Sequence, residues 1–229
     1  MNSQFFHIII LELSVNTPSH SGTSSFHSTA SQPSGCYLCS WKLEICITMA
    51  SGDIKETGFT PYTLSQLLRG EYPKDRPIHI FTEGVYDLFH YGHARQLRQA
   101  KEAFPNVIIT AGVCNDDLVT KYKGGPVVMT QEERMAAVRE CQYVDNVVDH
   151  GMFYPTIELL DQMQADLIAH DDIPYTCPES DDCYEPFKRA DRFLTTQRTK
   201  HISTTDLIQR ILDNCENFRE RNSRRANSG

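Results

Sequence analysis

One stretch of the chain decides the fold: Ile78-His79-Ile80-Phe81-Thr82-Glu83-Gly84-Val85-Tyr86-Asp87-Leu88-Phe89-His90-Tyr91-Gly92-His93-Ala94-Arg95. Its beginning, residues 78–82, predicts a short buried strand, and the residues from Ala94 to Lys101 predict a helix. The two glycines between these segments predict a loop. His90 and His93 therefore fall between the carboxyl end of a strand and the first turn of a helix.

This position suits an anion. In an open α/β sheet, ligands bind outside the carboxyl ends of the strands, where the amides of a helix N-terminus attract phosphate. An imidazole can add a hydrogen bond to a phosphoryl oxygen, and also a positive charge if it is protonated. Two other interpretations stay open on spacing alone. The histidines could cap the helix or lie on the surface, or they could bind a metal, for which Asp87 is the obvious further ligand nearby.

Composition limits the class of protein. The chain has 229 residues, of which 40% are hydrophobic and 23% are charged, as in soluble globular proteins. The net charge of −8 argues against a general nucleic-acid binder. Its eight cysteines show no regular disulfide spacing, which favours reduced thiols and a cytoplasmic or nuclear location. Because no run of about 18 apolar residues occurs, we expect no stable membrane anchor.

The organisation along the chain predicts three parts. Residues 1–75 are expected to be a poorly ordered leader, because residues 14–35 are rich in Ser, Thr and Pro. Met1 and Met49 are alternative start sites within it. Residues 76–221 are expected to form one folded domain, and residues 222–229 a short basic tail.

Strands and helices alternate through the predicted domain. Val107–Val113 is a near-continuous apolar run that is typical of a central parallel strand. Further strands are predicted at Tyr143–Val148, Asp166–His170 and Phe193–Thr195, and helices at Gln131–Gln142, Thr156–Met163, Tyr184–Ala190 and Thr205–Arg221. The helix at Gln131 opens with a Thr-x-x-Glu capping box, and the last helix has an apolar face that is expected to pack on the sheet. The pattern predicts an α/β fold with a doubly wound, mostly parallel sheet.

Polar residues follow several of these strands. Besides the histidine loop, Asn115-Asp116 and His170-Asp171-Asp172 stand at strand ends, so they are expected to converge on one crevice. The dinucleotide fingerprint and the P-loop pattern are both absent from the sequence. Lys123 falls in the Tyr122–Pro126 segment, which is either a solvated loop or an anion contact. Arg198 and Thr204 precede the last helix and could hold an anion together, while Ser203 or Thr204 could simply cap that helix.

These motifs together resemble the cytidylyltransferase family, and most closely its choline-phosphate branch. The resemblance rests on the His-x-Gly-His motif ending at His93, the Lys-Gly pair, His170-Asp171-Asp172-Ile173-Pro174-Tyr175 and Gln197-Arg198-Thr199. It covers residues 76–221 and implies a Rossmann-like nucleotidyltransferase fold. It also implies transfer of the cytidylyl group of CTP to phosphocholine, giving CDP-choline and pyrophosphate with Mg²⁺ as the cofactor.

The resemblance implies a role for each matching residue. His90 and His93 would stabilise the transition state at the α-phosphate, and Lys123 would bridge the phosphates of both substrates. The CTP-binding residues would be Val85, Tyr86, His93, Asp116, Lys123, His170, Gln197, Arg198, Thr199, Ile202 and Thr204. The phosphocholine-binding residues would be Lys123, Phe153, Asp171, Tyr175 and Tyr184. No side chain is assigned to a metal, and a homodimer is expected.

Some positions depart from the family pattern. Phe153 stands where the family has Trp, so weaker choline binding is expected. Lys200 and His201 replace a Glu and a Gly, and His201 would cost about 1 kcal/mol if that position is left-handed. Gln142 replaces an Arg in a segment that supports the nucleotide site and the dimer in relatives. These changes keep open an alternative, a weak paralogue that binds nucleotide or dimerises with an active relative. Phosphoethanolamine as the substrate fits an aromatic site less well.

Overall fold

The computed structural model describes residues 58–178 and 180–227, and these contain one five-stranded sheet. Its strands are β1 (Ile78–Gly84), β2 (Val107–Val113), β3 (Asn146–Val148), β4 (Leu167–Asp171) and β5 (Phe193–Thr196). Their order is β3-β2-β1-β4-β5, and every neighbouring pair is parallel. The predicted doubly wound sheet is therefore confirmed.

Eight helices accompany the strands within the described residues. They are α1 (Leu64–Leu68), α2 (Tyr91–Lys101), α3 (Asp116–Lys123), α4 (Gln131–Arg139), α5 (Ile157–Gln162), α6 (Glu185–Arg189), α7 (Thr204–Asp213) and α8 (Cys215–Ala226). The predicted capping box of α4 is present, since Thr130 Oγ1 accepts from the Glu133 amide and the Glu133 carboxylate accepts from the Thr130 amide.

Helices cover both faces of the sheet because the strands are apolar on both faces. On one face Ile80 and Leu167 pack with Leu97 of α2. On the other face Phe81 and Ile168 pack with side chains of α5 and α6. Each large side chain buried in this way contributes roughly 1.5–3 kcal/mol to folding.

The strand order reverses between β1 and β4. β1 leads through α2 to β2 on one side, whereas β4 lies on its other side and leads to β5. Loops that leave neighbouring strands in opposite directions open a crevice at their carboxyl ends. The histidine loop after β1 lies at this point.

The folded part begins before residue 76, so the predicted end of the leader is wrong for its described portion. Leu67 of α1 is fully buried against the sheet. The Tyr62 amide donates to Asp166 Oδ1 at 2.8 Å, and Arg76 pairs with the same carboxylate at 2.6 Å. Asp166 is buried, so these donors satisfy a charge that would otherwise be costly. Met1, Met49 and the rest of residues 1–57 lie outside the described residues.

The predicted closing helix is two helices, broken at Asn214. α8 continues to Ala226, so residues 222–226 of the predicted basic tail are helical. The predicted packing of the apolar face on the sheet is wrong for Ile211 and Leu212, which are 47% and 61% exposed. Among the residues that the structure describes, no helix combines the length and apolar character needed to cross a membrane.

Candidate functional site

A cavity of about 750 Å³ opens outside the carboxyl ends of β1, β4 and β5. Most of the residues predicted for substrate binding or catalysis line it. They are Val85, Tyr86, His90, His93, Lys123, His170, Asp171, Tyr175, Gln197, Arg198, Thr199, Ile202 and Thr204. They come from four separate segments of the chain, so the fold brings together groups that the sequence keeps far apart.

His90 and His93 cap α2 with their side chains. His90 Nδ1 accepts from the Gly92 amide at 3.1 Å, and His93 Nδ1 accepts from the His90 amide at 3.4 Å. The two rings stack with centroids 3.8 Å apart. The sequence analysis treated helix capping and phosphate binding as alternatives. The two roles are compatible, because capping uses only Nδ1 and leaves Nε2 of each ring for a ligand.

Both imidazoles are neutral near pH 7. Burial, with smaller contributions from His90 and Lys123, lowers the pKa of His93 to about 3. Burial also lowers the pKa of His90. Because each Nδ1 accepts a hydrogen bond, the proton of a neutral ring lies on Nε2. His90 Nε2 is buried and has no hydrogen-bond partner among the described residues. The pair therefore offers two N–H donors side by side, the arrangement that a phosphoryl oxygen accepts.

Gly92 permits this arrangement. A Cβ atom at this position would lie 2.9 Å from the His90 ring and 3.1 Å from Cγ2 of Ile202. Any larger residue would displace the His90 ring or the loop before α7. Gly92 is thus required by packing against the histidine.

The loop between β1 and α2 is strained and firmly held. Tyr86 and Leu88 adopt φ of 55° and 46°, which costs on the order of 1 kcal/mol each. Tyr86 is buried and its hydroxyl hydrogen-bonds Thr82 Oγ1 at 2.9 Å, so its side chain belongs to the core. Asp87 accepts from the amides of Val128 and Met129 at 2.8 and 2.9 Å. Those bonds occupy the carboxylate that a metal site with the two histidines would need.

Lys123 is the last residue of α3 and does not lie in a loop as predicted. Gly124 ends the helix in a left-handed conformation with φ of 71°, and its amide donates to Thr120. The Lys123 ammonium lines the cavity and makes no ion pair within the described part of the chain. An unpaired cation beside the histidines favours binding of an anion.

The segment before α7 supplies the opposite wall. Ser203 caps α7, since its Oγ accepts from the Asp206 amide at 3.0 Å. Thr204 Oγ1 donates to the Asp87 carbonyl at 2.9 Å and ties this segment to the histidine loop. Thr199 Oγ1 is buried without a partner among the described residues. Arg198 is 63% exposed and lies 3.8 Å from the Asp171 carboxylate.

His201 adopts the left-handed conformation, with φ of 64°. The strain predicted for this substitution is therefore present. Lys200 is exposed and does not line the cavity, so its charge faces solvent.

Comparison with known proteins agrees with this geometry. A model of the family described as Cytidylyltransferase-like matches residues 81–210. The chain belongs to this family.

Curated relatives carry related names. Choline-phosphate cytidylyltransferase A of Rattus norvegicus is 43% identical over 179 residues, which are 77% of this chain and 48% of the relative. Choline-phosphate cytidylyltransferase of Saccharomyces cerevisiae is 45% identical over 154 residues, 67% of this chain and 36% of the relative. Ethanolamine-phosphate cytidylyltransferase of Dictyostelium discoideum is 37% identical over 137 residues, 60% of this chain and 37% of the relative. The chain thus spans about half or less of these relatives.

Three predicted residues do not line the cavity of this cytidylyltransferase-like chain. Asp116 pairs with Arg134 at 2.5 Å, because the fully buried guanidinium needs a counter-charge. Phe153 is buried and stacks on Tyr122 with centroids 4.9 Å apart. Tyr184 is fully buried behind His170, on which it stacks at 4.7 Å, and its hydroxyl donates to the Glu83 carboxylate.

Sequence reasoning missed two residues that hold the site together. Arg134 donates to the carbonyls of Val85 and Cys114 at 2.5 and 2.8 Å, which joins the histidine loop to the end of β2. Its signal was its position four residues before buried Val138, on the core face of α4. The side chain of Gln99 binds both backbone groups of Gln197: Oε1 accepts from the Gln197 amide at 2.9 Å, and Nε2 donates to the Gln197 carbonyl at 3.0 Å. No local sequence pattern predicts the contact between Gln99 and Gln197, since a glutamine on a helix is usually solvated.

Proposed function

We propose that this chain transfers the cytidylyl group of CTP to phosphocholine. The observation that carries the proposal is the stacked His90–His93 pair in a cavity at the switch point of the sheet. The pair offers two Nε2 donors beside Lys123, which makes no ion pair with another described residue. The names of the relatives support the choice of CTP and phosphocholine.

In the proposed reaction a phosphate oxygen of phosphocholine attacks the α-phosphorus of CTP. A new P–O bond forms as the bond between the α- and β-phosphates breaks, and pyrophosphate leaves. Such a transfer needs alignment and neutralisation of charge more than covalent catalysis. His90 and His93 would donate to α-phosphate oxygens, where charge grows in the transition state. Lys123 would hold oxygens of both substrates in line.

The wall before α7 would bind the rest of the triphosphate. α7 presents the amides of its first turn, the hydroxyl of Thr199 has a free proton, and Arg198 supplies charge. Gln197 is fixed by Gln99, so its backbone is in place before CTP binds.

Choline recognition would depend on Tyr175 and Asp171. A quaternary ammonium has no N–H to donate, so it binds to aromatic faces and to a carboxylate. Tyr175 is 36% exposed at the cavity, and Asp171 lies at the end of β4. Phe153 lies 6.4 Å from the Tyr175 ring and Tyr184 stacks on His170, so both would act by supporting these contacts from behind.

Mg²⁺ would arrive with CTP. Mg²⁺ binds through substrate phosphates and keeps several waters, and it neutralises charge on the leaving pyrophosphate. The Asp87 carboxylate is occupied by backbone amides, whereas the Asp171 carboxylate lines the cavity and could contact the ion or its waters.

We also propose a homodimer in a reducing, cytoplasmic or nuclear compartment. The described cysteines are all free, which suits such a compartment. Light scattering coupled to gel filtration tests the dimer directly, and a monomer at micromolar concentration contradicts it.

The deciding experiment assays purified full-length protein with CTP, Mg²⁺ and either phosphocholine or phosphoethanolamine. His93→Ala should reduce kcat about 100-fold or more, by analogy with loss of one transition-state donor. Tyr91→Ala is the matched control, because Tyr91 lies on the same helix and is 60% exposed. Turnover with phosphoethanolamine but not with phosphocholine would replace phosphocholine as the proposed substrate. Absence of turnover with either acceptor would favour the weak paralogue.

A further inference from the structure

The two groups proposed to recognise choline are held by different parts of the molecule. Asp171 is the last residue of β4 and pairs with Thr196 of β5, so its backbone belongs to the sheet. Tyr175 lies in the connection between β4 and α6. We call residues 173–175, which all line the cavity, the Tyr175 segment. The Tyr175 ring can form a face of the choline site only if this segment is held in place.

The Asp182 carboxylate holds the backbone of the Tyr175 segment. Its Oδ1 accepts hydrogen bonds from the Tyr175 amide at 3.3 Å and from the Tyr184 amide at 3.1 Å. The Tyr175 carbonyl in turn accepts from the Cys183 amide at 2.8 Å. Because Tyr184 is fully buried, these bonds tie the partly exposed Tyr175 to a residue that is fixed in the core.

Lys188 of α6 connects the two ends of this arrangement. Its ammonium lies 2.9 Å from Asp182 Oδ2 and 2.7 Å from Oδ1 of Asp172, the residue that precedes the Tyr175 segment. The same ammonium lies 5.0 Å from the centroid of the buried Phe193 ring. The side chains of Lys188 and Asp182 are 27% and 14% exposed, so solvent screens this pair less than a pair on the open surface.

Both members of the pair are charged near pH 7. Burial acts to raise the pKa of Asp182, but the hydrogen bonds from Lys188 and from the amides of Tyr184 and Tyr175 together lower it. Burial likewise acts to lower the pKa of Lys188, but the bonds to Asp172 and Asp182 raise it. Neither Lys188 nor Asp182 lines the cavity, so both would act on a bound acceptor through Tyr175.

We propose that Lys188 and Asp182 are positioning residues that set the preference of the site for a quaternary ammonium over a primary one. This inference rests on the proposed function. A primary ammonium donates N–H hydrogen bonds, so phosphoethanolamine can bind through the Asp171 carboxylate alone. A quaternary ammonium has no such donor and depends on aromatic faces. Displacement of Tyr175 therefore weakens binding of phosphocholine more than binding of phosphoethanolamine.

Steady-state kinetics of the full chain with CTP, Mg²⁺ and each acceptor test the inference. Lys188→Met keeps an unbranched side chain beside Phe193 and removes the ammonium. We expect its KM for phosphocholine to rise about 10-fold, as for loss of one aromatic contact to a cation, and its KM for phosphoethanolamine to rise less. Its KM for CTP and its kcat at saturating phosphocholine should change less than about 2-fold, because the histidine pair lies in another segment.

Two further variants separate positioning from a general loss of structure. Lys188→Arg should bring the KM for phosphocholine back to within about 3-fold of the parent, because a guanidinium can meet the same carboxylates. Arg189→Met is the matched control. Arg189 is the neighbour of Lys188 on α6, but its side chain is 78% exposed, so every KM should stay unchanged.

If Lys188→Met does not fold, Asp182→Asn decides. This change keeps an oxygen for the amides of Tyr175 and Tyr184 and removes the charge that Lys188 meets. It should also raise the KM for phosphocholine more than the KM for phosphoethanolamine. An equal rise for both acceptors would overturn the inference, because the pair would then support the whole site. An unchanged KM for phosphocholine would overturn it as well.

Failure of the proposed function has a different result, since the parent protein itself then makes no CDP-choline. In that case calorimetric titration with phosphocholine and with phosphoethanolamine, in the presence of CTP, measures the same preference as binding. A parent that binds no phosphocholine, or a Lys188→Met variant that binds it as tightly as the parent, then overturns the inference. Weaker binding of phosphocholine alone in the variant supports it.

Discussion

Two walls of the cavity carry anion-binding groups, and they differ in how firmly the surrounding residues hold these groups. The histidine wall, residues 84–93, is anchored by buried Asp87 and Arg134. The arginine wall, residues 196–204, carries Arg198 at 63% exposure and an exposed, left-handed His201. Both walls contain non-glycine residues in the left-handed conformation. Tyr86 is buried in the core. His201 is exposed, and the side chain of Arg210 donates to its carbonyl at 3.1 Å.

The difference shows where rigidity is needed. Donors that meet developing charge are effective when they are fixed before the reaction. Groups that hold the remainder of a triphosphate can adjust, and an exposed pair such as Arg198–Asp171 contributes at most about 1 kcal/mol. Changes in the histidine wall should therefore reduce folding stability and kcat, and changes in the arginine wall should chiefly alter KM for CTP.

The largest expected effect is on stability, from Arg134→Met. This change removes a fully buried guanidinium that donates to Val85 and Cys114 and pairs with Asp116. The free energy of unfolding should fall by about 3–5 kcal/mol, measured by urea denaturation. Arg98→Met, which loses an exposed pair at 3.9 Å, is the control and should change it by less than about 0.5 kcal/mol. Equal effects would show that the histidine wall is not anchored by Arg134.

Gly92→Ala should reduce kcat about 100-fold, because the new methyl group displaces the His90 ring by a fraction of an ångström or more. Steady-state kinetics with CTP and phosphocholine measure the effect. Gly125→Ala is the matched change, since no atom lies within 4 Å of the added Cβ. A normal kcat for Gly92→Ala would mean that the histidine wall yields more easily than its packing suggests.

Acid should destabilise the histidine wall through His93. The pKa of His93 in the fold is lowered to about 3 by burial, below the ordinary value of 6.5. The unfolded chain therefore binds more protons between these two values, and stability contributed by neutral His93 is lost as pH falls from 6.5 towards 3. The slope is at most about 1.4 kcal/mol per pH unit. Urea denaturation at several pH values should show a shallower slope for His93→Asn, and parallel slopes would contradict this role.

The smallest effect is expected in the arginine wall. His201→Gly relieves a φ of 64° and should stabilise the chain by up to about 1 kcal/mol, with kcat nearly unchanged. Lys200→Glu alters an exposed charge and should shift stability by less than about 0.5 kcal/mol. A large rise in kcat with His201→Gly would instead favour the weak-paralogue alternative and show that this wall is as critical as the other.

The sequence predicted the sheet well because its strands are local signals. Val107–Val113 and the strand before the histidine loop are short apolar runs with polar ends, and both were placed correctly. α3 was missed because Asp116–Lys123 is mostly polar and ends at Gly124, which marks a helix end as readily as a loop. The break at Asn214 was missed because the apolar spacing continues through it.

The sequence predicted a site residue correctly where the residue's position depends only on the strand and helix next to it in the chain. His90, His93 and the Arg198 segment sit at strand-to-helix junctions, and such positions are exposed to a ligand in any parallel sheet. Phe153 and Tyr184 were expected at the cavity, but the exposure of an aromatic ring depends on what packs against it. Tyr122, which stacks on Phe153, and Glu83, which binds Tyr184, come from distant segments of the chain. The sequence around Phe153 or Tyr184 therefore does not predict these contacts.

The hydrogen bond from the Gly92 amide to His90 Nδ1 makes one backbone proton a reporter of the whole centre. That proton exchanges with solvent only when the ring swings away or the first turn of α2 frays. Its exchange rate therefore measures how often the resting protein loses its donor pair. Among variants and bound ligands, slower exchange of this single amide should accompany a greater fraction of molecules ready to react.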